Sequence, residues 1–353
     1  MEGKKLYVGV GLGFGLVAVL LAYFGNPANM AICVACFIRD IAGSAKLHTA
    51  PPVQYLRPEI IGIIFGAMLM AIPRKEFAAR SGSSTATRFL LGFMMMIGAL
   101  MFLGCPLRMI LRMGGGDLNA YVGLIGFVGG VFTGSLFLKQ GYTLGKAKET
   151  KTSSGLVIPG FFLALFVLFL AVPVLFTVSA EGPGSFHAPV VISLVGGLIF
   201  GGLAQLSAIC FSGSIRDIIL MKNFNRITGV LTLFVVVLIY NLVTGNFHLS
   251  FADQPIAHTE HLWNILGLYV VGFAGVLLSG CPLRQLILTG QGSSDAGVTV
   301  IGMLVGAAFA HNFGLASSGE GTTSFGRIAV ILCIVLLFVI AFTNREKRAG
   351  ASR

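Results

Sequence analysis

Long apolar runs separated by short polar loops are the main pattern along this chain. The clearest runs cover residues 6–24, 156–180, 227–242 and 328–342. A helix of about 20 predominantly apolar residues spans a bilayer, so the pattern predicts an all-α polytopic membrane protein. We place ten crossings near residues 6–24, 59–73, 88–104, 118–137, 156–179, 189–206, 227–246, 263–280, 296–313 and 327–343.

Four further segments are too short, or too often interrupted by polar residues and glycine, to cross. Two of them, residues 28–45 and 207–222, each contain a cysteine and an Arg-Asp pair. The other two begin at Cys105 and Cys281 and end in the glycine-rich stretches that follow. Lipid cannot satisfy the backbone polar groups of an incomplete span, so such segments are tolerated only inside protein or beside a cavity. We therefore predict short re-entrant half-helices.

Two motifs repeat along the chain at nearly the same separation. Cys-Pro-Leu-Arg occurs at residues 105–108 and 281–284, and Ile-Cys followed by Ile-Arg-Asp spans residues 32–40 and 209–217. The offsets are 176 and 177 residues, which indicates two copies of one unit. Five predicted crossings separate equivalent positions, and because five is odd, we expect the second copy to be inverted. Inverted repeats with broken helices are a common transporter architecture, with the substrate site at the repeat interface.

The repeat divides the chain into four parts. We assign residues 1–137 to the first repeat unit and residues 189–313 to the second, inverted unit. Residues 138–188 hold a basic loop and a linking transmembrane helix, and residues 314–353 hold an extra transmembrane helix and a basic tail. The two units together with their short elements predict an hourglass-shaped bundle.

Charge is scarce and unevenly distributed. Charged residues make up 10% of the chain, whereas a soluble domain is about 25% charged. The net charge of +11 resides in short loops, which argues against a nucleic-acid partner. The positive-inside rule makes these loops, and with them both termini, cytoplasmic. Their basic residues are Arg74, Lys75, Arg80, Arg88, Lys139, Lys146, Lys148, Lys151, Arg345, Lys347 and Arg348.

Lys46 and Arg57 fall on the opposite side and break the charge rule. Two interpretations stay open for them. They line an external vestibule for anions, or the predicted boundaries are locally wrong.

The Cys-Pro-Leu-Arg motif has the form of a helix start. Proline suits the first helical position, where its missing N–H costs nothing, and this places Cys105 and Cys281 at N-caps. Free N–H groups and the positive helix end attract anions there. Arg108 and Arg284 follow three residues later, on the same face. The alternative is a Pro-capped helix whose cysteine is a small buried hydrophobe; the duplication favours the anion site.

The second repeated motif brings charge into the membrane. It contributes Cys33 with Arg39 and Asp40, and Cys210 with Arg216 and Asp217. Arginines within a membrane usually face a pathway or pair with a carboxylate. Adjacent residues do not face each other on a helix, so each arginine pairs with the aspartate of the other copy or binds substrate. A purely structural ion pair that includes Asp40 or Asp217 is the third interpretation.

The remaining polar residues indicate no enzyme. Cys33 and Cys36 form a C-x-x-C motif, but the position equivalent to Cys36 is Gly213, so a dithiol is confined to one copy. The six histidines do not repeat, and we interpret His258-x-x-His261 as part of a solvated loop. Structural zinc requires four ligands. We predict no metal, no cofactor and no catalytic residue, and Cys333 facing lipid or the core.

These motifs resemble the YeeE/YedE family of bacterial inner-membrane proteins. The resemblance lies in residues 26–40, Gly104–Arg108 with 114–117, residues 209–217 and Gly280–Arg284, and covers nearly the whole chain. It implies uptake of thiosulfate or a related sulfur compound through a cysteine-lined constriction. Cys105 would be the outer thiol, Cys33 the middle one and Cys281 the inner one.

The extended first motif is similar to the branch of selenium transporters. Some members of the family work with a small sulfur-carrier protein, so the resemblance implies that any such partner here is a separate cytoplasmic chain. We therefore predict a small anionic sulfur or selenium substrate, with Cys210, Arg39, Arg108, Arg216 and Arg284 along its pathway. A membrane thiol oxidoreductase using Cys33 and Cys36, or a structural subunit of a sulfur or selenium metabolism complex, is the alternative.

Overall fold

A computed structural model describes residues 2–346 and is helical almost throughout. Two short 3-10 helices, Pro51–Val53 and Pro173–Leu175, and one two-residue strand pair, β1 (Arg80–Ser81) with β2 (Lys148–Glu149), complete this range. Lys347 and Arg348 of the predicted basic tail lie outside the described residues. The α-helices of the described range are α1 (Glu2–Tyr23), α2 (Val34–Ser44), α3 (Pro58–Ala71), α4 (Thr85–Phe102), α5 (Pro106–Gly114), α6 (Leu118–Lys139), α7 (Thr152–Ala171), α8 (Val190–Ser207), α9 (Phe211–Met221), α10 (Asn225–Val243), α11 (His261–Leu277), α12 (Pro282–Gly290), α13 (Ser294–Asn312) and α14 (Ser324–Thr343).

Ten segments within residues 2–346 are long and apolar enough to cross a membrane, which confirms the predicted number. The predicted crossing 156–179 is too long, because α7 ends at Ala171 and Pro173 begins a 3-10 turn. Proline has no N–H to donate and restricts the residue before it, so it stops the helix. The chain is therefore an all-α multi-pass membrane protein.

The half-helices predicted at the four interrupted segments are present as α2, α5, α9 and α12. Three of them continue apolar stretches of 30 to 32 residues that are broken by a turn: Thr85–Gly114, Val190–Met221 and His261–Gly290. All residues of α2 and α5 are buried. The break before α5 is enclosed by protein, since Leu103 and Cys105 are buried, and Ser279 at the break before α12 lines a cavity. A membrane interior tolerates irregular backbone in both situations.

Helix contacts interchange between the two halves of the chain. Helix α1 packs on α10 and α3 packs on α8; α4 packs on α13 and α6 packs on α11. The half-helices follow the same rule, since α2 contacts α12 and α13 while α9 contacts α5 and α6. When α1–α6 are replaced in order by α8–α13, and α8–α13 by α1–α6, each of these contacts becomes another contact of the same set. This exchange supports the predicted repeat; the inverted orientation and the unit boundaries stay predictions.

Glycines bring the long helices into close contact. A side chain at Gly126 of α6 would collide with the carbonyl oxygen of Ile265 in α11, and one at Gly130 would collide with that of Tyr269. Helix α8 uses Gly197 against the backbone of α3 in the same way. Membrane helices associate through such small residues, because lipid leaves no hydrophobic force to drive them together.

The loops separate into two groups by their hydrogen bonds. Thr150 N–H donates to Ala79 O at 2.9 Å, Arg80 N–H to Gly292 O at 3.3 Å, and Thr143 N–H to Asn344 O at 3.0 Å. The basic loops therefore meet on one side, which we call the basic face. The loops of the opposite face are joined by bonds such as Thr177 N–H to Ser44 O at 2.9 Å.

We expect Gly126→Ala to weaken the contact between α6 and α11. The new methyl group must displace backbone, which costs about 1–3 kcal/mol of unfolding free energy. Gly160→Ala is the matched control, because nothing lies within 4 Å of a Cβ there. Thermal unfolding of the purified protein in detergent measures both, and equal melting temperatures would contradict the packing role of Gly126.

Candidate functional site

Four cysteines occupy the N-caps of the four half-helices. The predicted N-cap positions of Cys105 in α5 and Cys281 in α12 are confirmed, each with proline at the next position. Sequence reasoning missed that Cys33 caps α2 and Cys210 caps α9, because neither is followed by proline. The Sγ atom of Cys33 accepts from Cys36 N–H at 3.3 Å, and that of Cys210 accepts from Gly213 N–H at 3.3 Å.

The cysteines form one thiol pair in each half of the chain. The Sγ atoms of Cys33 and Cys105 are 3.8 Å apart, and those of Cys210 and Cys281 are 3.6 Å apart. All four are buried. Cys36 is an additional thiol of the first pair, with its Sγ 2.8 Å from that of Cys33. Two helix N-termini thus meet in each half, with three thiols in the first half and two in the second.

A left-handed turn precedes each of the four thiols by two residues. The φ angles are 40° at Ala31, 62° at Leu103, 50° at Ala208 and 61° at Ser279. A residue other than glycine held there costs about 1–3 kcal/mol, and such strain clusters at functional sites. The turns make the breaks that allow each cysteine to begin a new helix.

The two repeated arginines of the half-helices lack a carboxylate partner. The guanidinium of Arg108 donates to the carbonyl oxygens of Leu103, of Asn29 at 3.2 Å and of Ile256 at 3.1 Å. Arg284 is half-buried and makes no side-chain hydrogen bond to any part of residues 2–346, and its Nη1 is buried and unpartnered. Both positive charges are therefore uncompensated and suited to an anion.

The Arg-Asp motifs pair within their own half, so one of the three interpretations, pairing between the copies, is wrong. Asp40 binds Arg39 Nη2 at 2.7 Å and Arg57 Nε at 2.8 Å. Its counterpart Asp217 binds Arg216 Nη2 at 3.2 Å and Arg226 Nη1 at 2.8 Å. The long arginine side chain folds back to the neighbouring carboxylate, although the two Cβ atoms diverge on the helix.

Each Arg-Asp-Arg cluster carries one excess positive charge. Arg57, predicted to line an external vestibule or to mark a wrong boundary, is fully buried and also donates to the carbonyl oxygens of Phe186 at 2.9 Å and Pro183 at 2.7 Å. Lys46 is exposed on the face opposite the basic face. The cluster explains why a cation is present at position 57.

Two cavities approach equivalent turns from opposite faces. A cavity of about 480 Å³ on the face opposite the basic face is lined by Arg39, Leu103 and His311 among others. A cavity of about 380 Å³ on the basic face is lined by Lys75 and Ser279 among others. Leu103 and Ser279 each precede a Gly-Cys-Pro-Leu-Arg motif. None of the four paired cysteines is among the residues that line these two cavities, and all four are buried.

Sequence reasoning also missed a fully buried ion pair. Arg112 Nε binds Asp117 Oδ2 at 2.6 Å, and the Arg112 guanidinium lies 4.2 Å from the centre of the Phe102 ring. The sequence does contain a sign of this buried charge, since Arg112 follows Arg108 by one helical turn in an apolar stretch. The position equivalent to Arg112 is Leu288, so the pair is specific to the first half.

The histidine prediction is wrong at His258. The residue is 2% exposed, and its Nε2 lies 2.8 Å from Met101 O, so it is not in a solvated loop. Burial lowers the pKa of His258, because the charged ring would lose its hydration. Cys333 faces the core, as one of the two predictions stated. Within residues 2–346, no group of three or more His, Cys, Asp or Glu side chains is arranged to hold a metal ion.

We expect Asp40→Asn to destabilise the protein more than Asp217→Asn. Removing the Asp40 charge leaves two arginines unpaired that are 2% and 0% exposed, which costs about 3–5 kcal/mol. The arginines beside Asp217 are 23% and 29% exposed, so water compensates them and the loss is about 1 kcal/mol. Thermal unfolding in detergent compares the two variants, and equal losses would contradict this order.

One stretch of the chain is similar to a known protein family. Residues 206–343, from the end of α8 to the end of α14, match the sequence model of the family described as "Sulphur transport". A search of curated proteins gives no match. The matched stretch contains Cys210, Cys281, Arg216 and Arg284.

Proposed function

We propose that this multi-pass membrane protein, whose residues 206–343 match the sulphur-transport family model, is a member of the YeeE/YedE family and takes up a small anion containing sulfur or selenium. The observation that carries the proposal is the repeated thiol pair, at 3.8 Å and 3.6 Å, where half-helix N-termini meet in each half. A transport role agrees with the family and requires no catalytic step. The substrate class that we propose is a thiosulfate-like oxyanion or a selenium compound of similar size.

The electrostatics of the site favour an anion. Each Arg-Asp-Arg cluster keeps one excess positive charge, and Arg39 of the first cluster lines a cavity. Arg108 and Arg284 add charges that no carboxylate neutralises. Helix N-termini contribute about half an elementary charge each. We propose that the oxygens of the anion contact these groups.

The thiols suit the sulfur or selenium end of the substrate. A thiol is a weak hydrogen-bond donor, so it contacts a soft atom without holding it tightly. Conduction needs several sites that are strong enough to admit the ion and weak enough to release it. We propose a constriction in which Cys105 lies outermost, Cys33 in the middle and Cys281 innermost, with Cys210 beside Cys281.

The orientation follows from the basic face. We propose that this face is cytoplasmic, that both termini lie there, and that the membrane is the bacterial inner membrane. The units 1–137 and 189–313 would then be inverted repeats around the constriction. A separate small sulfur-carrier protein would receive the substrate at the cavity of the basic face, where Lys75 and Arg88 are located.

Cys105→Ala and Cys281→Ala test the constriction. We expect each to reduce the initial rate of thiosulfate or selenite uptake into proteoliposomes at least about tenfold, the effect of losing roughly 1.4 kcal/mol at one site. Cys333→Ala is the matched control, because Cys333 lies in α14 away from the half-helices. Uptake near the wild-type rate in both variants, at equal protein content, would rule out the constriction.

A thiol oxidoreductase is the second candidate, favoured by the 2.8 Å between the Sγ atoms of Cys33 and Cys36. The transport proposal predicts that Cys36→Ala keeps most of the uptake, since the second half has Gly213 at that position. Radiolabelled uptake and thiol counting on the purified protein measure both properties. Complete loss of uptake, together with a Cys33–Cys36 disulfide in the active protein, would favour the oxidoreductase.

A further inference from the structure

Glu59 is a buried carboxylate without a cationic partner. It lies in the first turn of α3 and is 0% exposed. The other carboxylates buried within residues 2–346, those of Asp40, Asp117, Asp217 and Asp295, each have a basic side chain within 4.0 Å. Glu59 has none. An unpaired ionisable group within a membrane protein indicates a functional site.

One oxygen of Glu59 is bound and the other is free. Oε1 accepts from Asn26 Nδ2 at 2.8 Å and from Ser193 Oγ at 2.9 Å. Oε2 is buried and has no hydrogen-bond partner. Two neutral donors on one oxygen do not compensate a buried carboxylate, whereas a proton on Oε2 removes the charge.

The residues around Glu59 are engaged elsewhere. Arg57, two positions earlier, binds Asp40 and two carbonyl oxygens, and its guanidinium lies over the Phe37 ring. Tyr55 and His187 are the other titratable neighbours, and their rings stack at 4.0 Å. From α8 the contacts are those of Ser193 and of glycine backbone.

Asn26 connects Glu59 to solvent and to the thiols. It lines a cavity of about 300 Å³ on the face opposite the basic face. The same Nδ2 group that binds Glu59 also donates to Ala31 O at 2.6 Å. Ala31 is the left-handed residue that precedes Cys33 by two positions. Asn26 is therefore the single residue that links Glu59, by hydrogen bonds, to the turn before the first thiol pair, and it also lines the cavity.

The second half has no such acid. Arg226 holds Asp217 as Arg57 holds Asp40, and the residue two positions after Arg226 is Thr228. The carboxylate is therefore an addition to one half of a duplicated pathway. An anion that enters a cell moves against the inside-negative potential, and a co-transported proton offsets part of that cost.

We propose that Glu59 is a proton-binding site that couples anion uptake to proton entry. The proton binds Oε2 from the cavity beside Asn26 and is released during each transport cycle. A change in the protonation of Glu59 affects Cys33 through the hydrogen bonds of Asn26 and the turn at Ala31. The inference rests on the proposed transport function and adds its co-substrate.

The test uses purified full-length protein in proteoliposomes with the membrane potential clamped at zero. Labelled thiosulfate and labelled selenite are the probes. We expect the wild type to accumulate its probe about tenfold for each pH unit of an inward proton gradient, since one pH unit is a tenfold difference in proton activity. A lumenal pH dye should report acidification when the probe is added.

Glu59→Gln removes the titratable group at nearly constant shape. We expect it to keep exchange of internal for external probe and to lose both gradient-driven accumulation and lumenal acidification. Glu59→Asp, which keeps a carboxyl group, should retain both. Glu181→Gln is the control for an exposed carboxylate of the same face, and His187→Gln tests the neighbouring titratable ring.

The possible outcomes distinguish three claims: the transport function, its coupling to protons, and the assignment of the proton site to Glu59. If the wild type exchanges neither probe, the transport function itself is wrong and the coupling falls with it. If the wild type exchanges a probe without proton entry, only the coupling is wrong. Proton entry that persists in Glu59→Gln, or that is lost in His187→Gln instead, overturns the assignment to Glu59. Loss of all exchange in both Glu59→Gln and Glu59→Asp would assign Glu59 a structural role and also overturn it.

Discussion

An interrupted helix inside a membrane must satisfy its free backbone groups within the protein, and this constraint organises the whole structure. The first N–H groups of a helix have no partner in the helix, and lipid supplies none. Here four half-helices begin inside the bundle, and each begins at a cysteine. Proline at the first position of α5 and α12 removes one free N–H, and Sγ of Cys33 or Cys210 accepts another. The remaining donors create a local preference for negative charge.

The buried arginines follow from the same arrangement. A cation near the positive N-terminus of a half-helix is destabilising. The cost is offset when the cation pairs with a carboxylate or when the site binds an anion. Asp40 and Asp217 each neutralise one of two arginines and hold both in place. Arg108 and Arg284 stay without carboxylates. An excess of positive charge is thus built into both halves. Arg108 and Arg284 lie in the first turns of α5 and α12, where the backbone already favours anions.

The sequence predicted the parts of this structure that depend on local pattern. Ten crossings, four half-helices and the N-cap positions of Cys105 and Cys281 follow from apolar periodicity, glycine and proline. Contacts between distant segments were not predictable. The pairing of Arg57 with Asp40 and the burial of His258 against Met101 depend on tertiary packing that brings loops onto helices. The prediction that Arg39 cannot pair with Asp40 failed because it considered Cβ directions and neglected the length of the arginine side chain.

The differences between the two halves carry as much information as their likeness. Cysteines, left-handed turns and Arg-Asp-Arg clusters occur in both, which agrees with the proposed pathway entered from opposite faces. Cys36, the Arg112–Asp117 pair and Glu59 occur in the first half alone. Moving one charge against 100 mV costs about 2.3 kcal/mol, so the proposed inward transport of an anion needs an element that couples it to a second ion. Among these three additions, Glu59 has a free carboxylate oxygen and a hydrogen-bonded connection to a thiol pair, which are the properties that such an element needs.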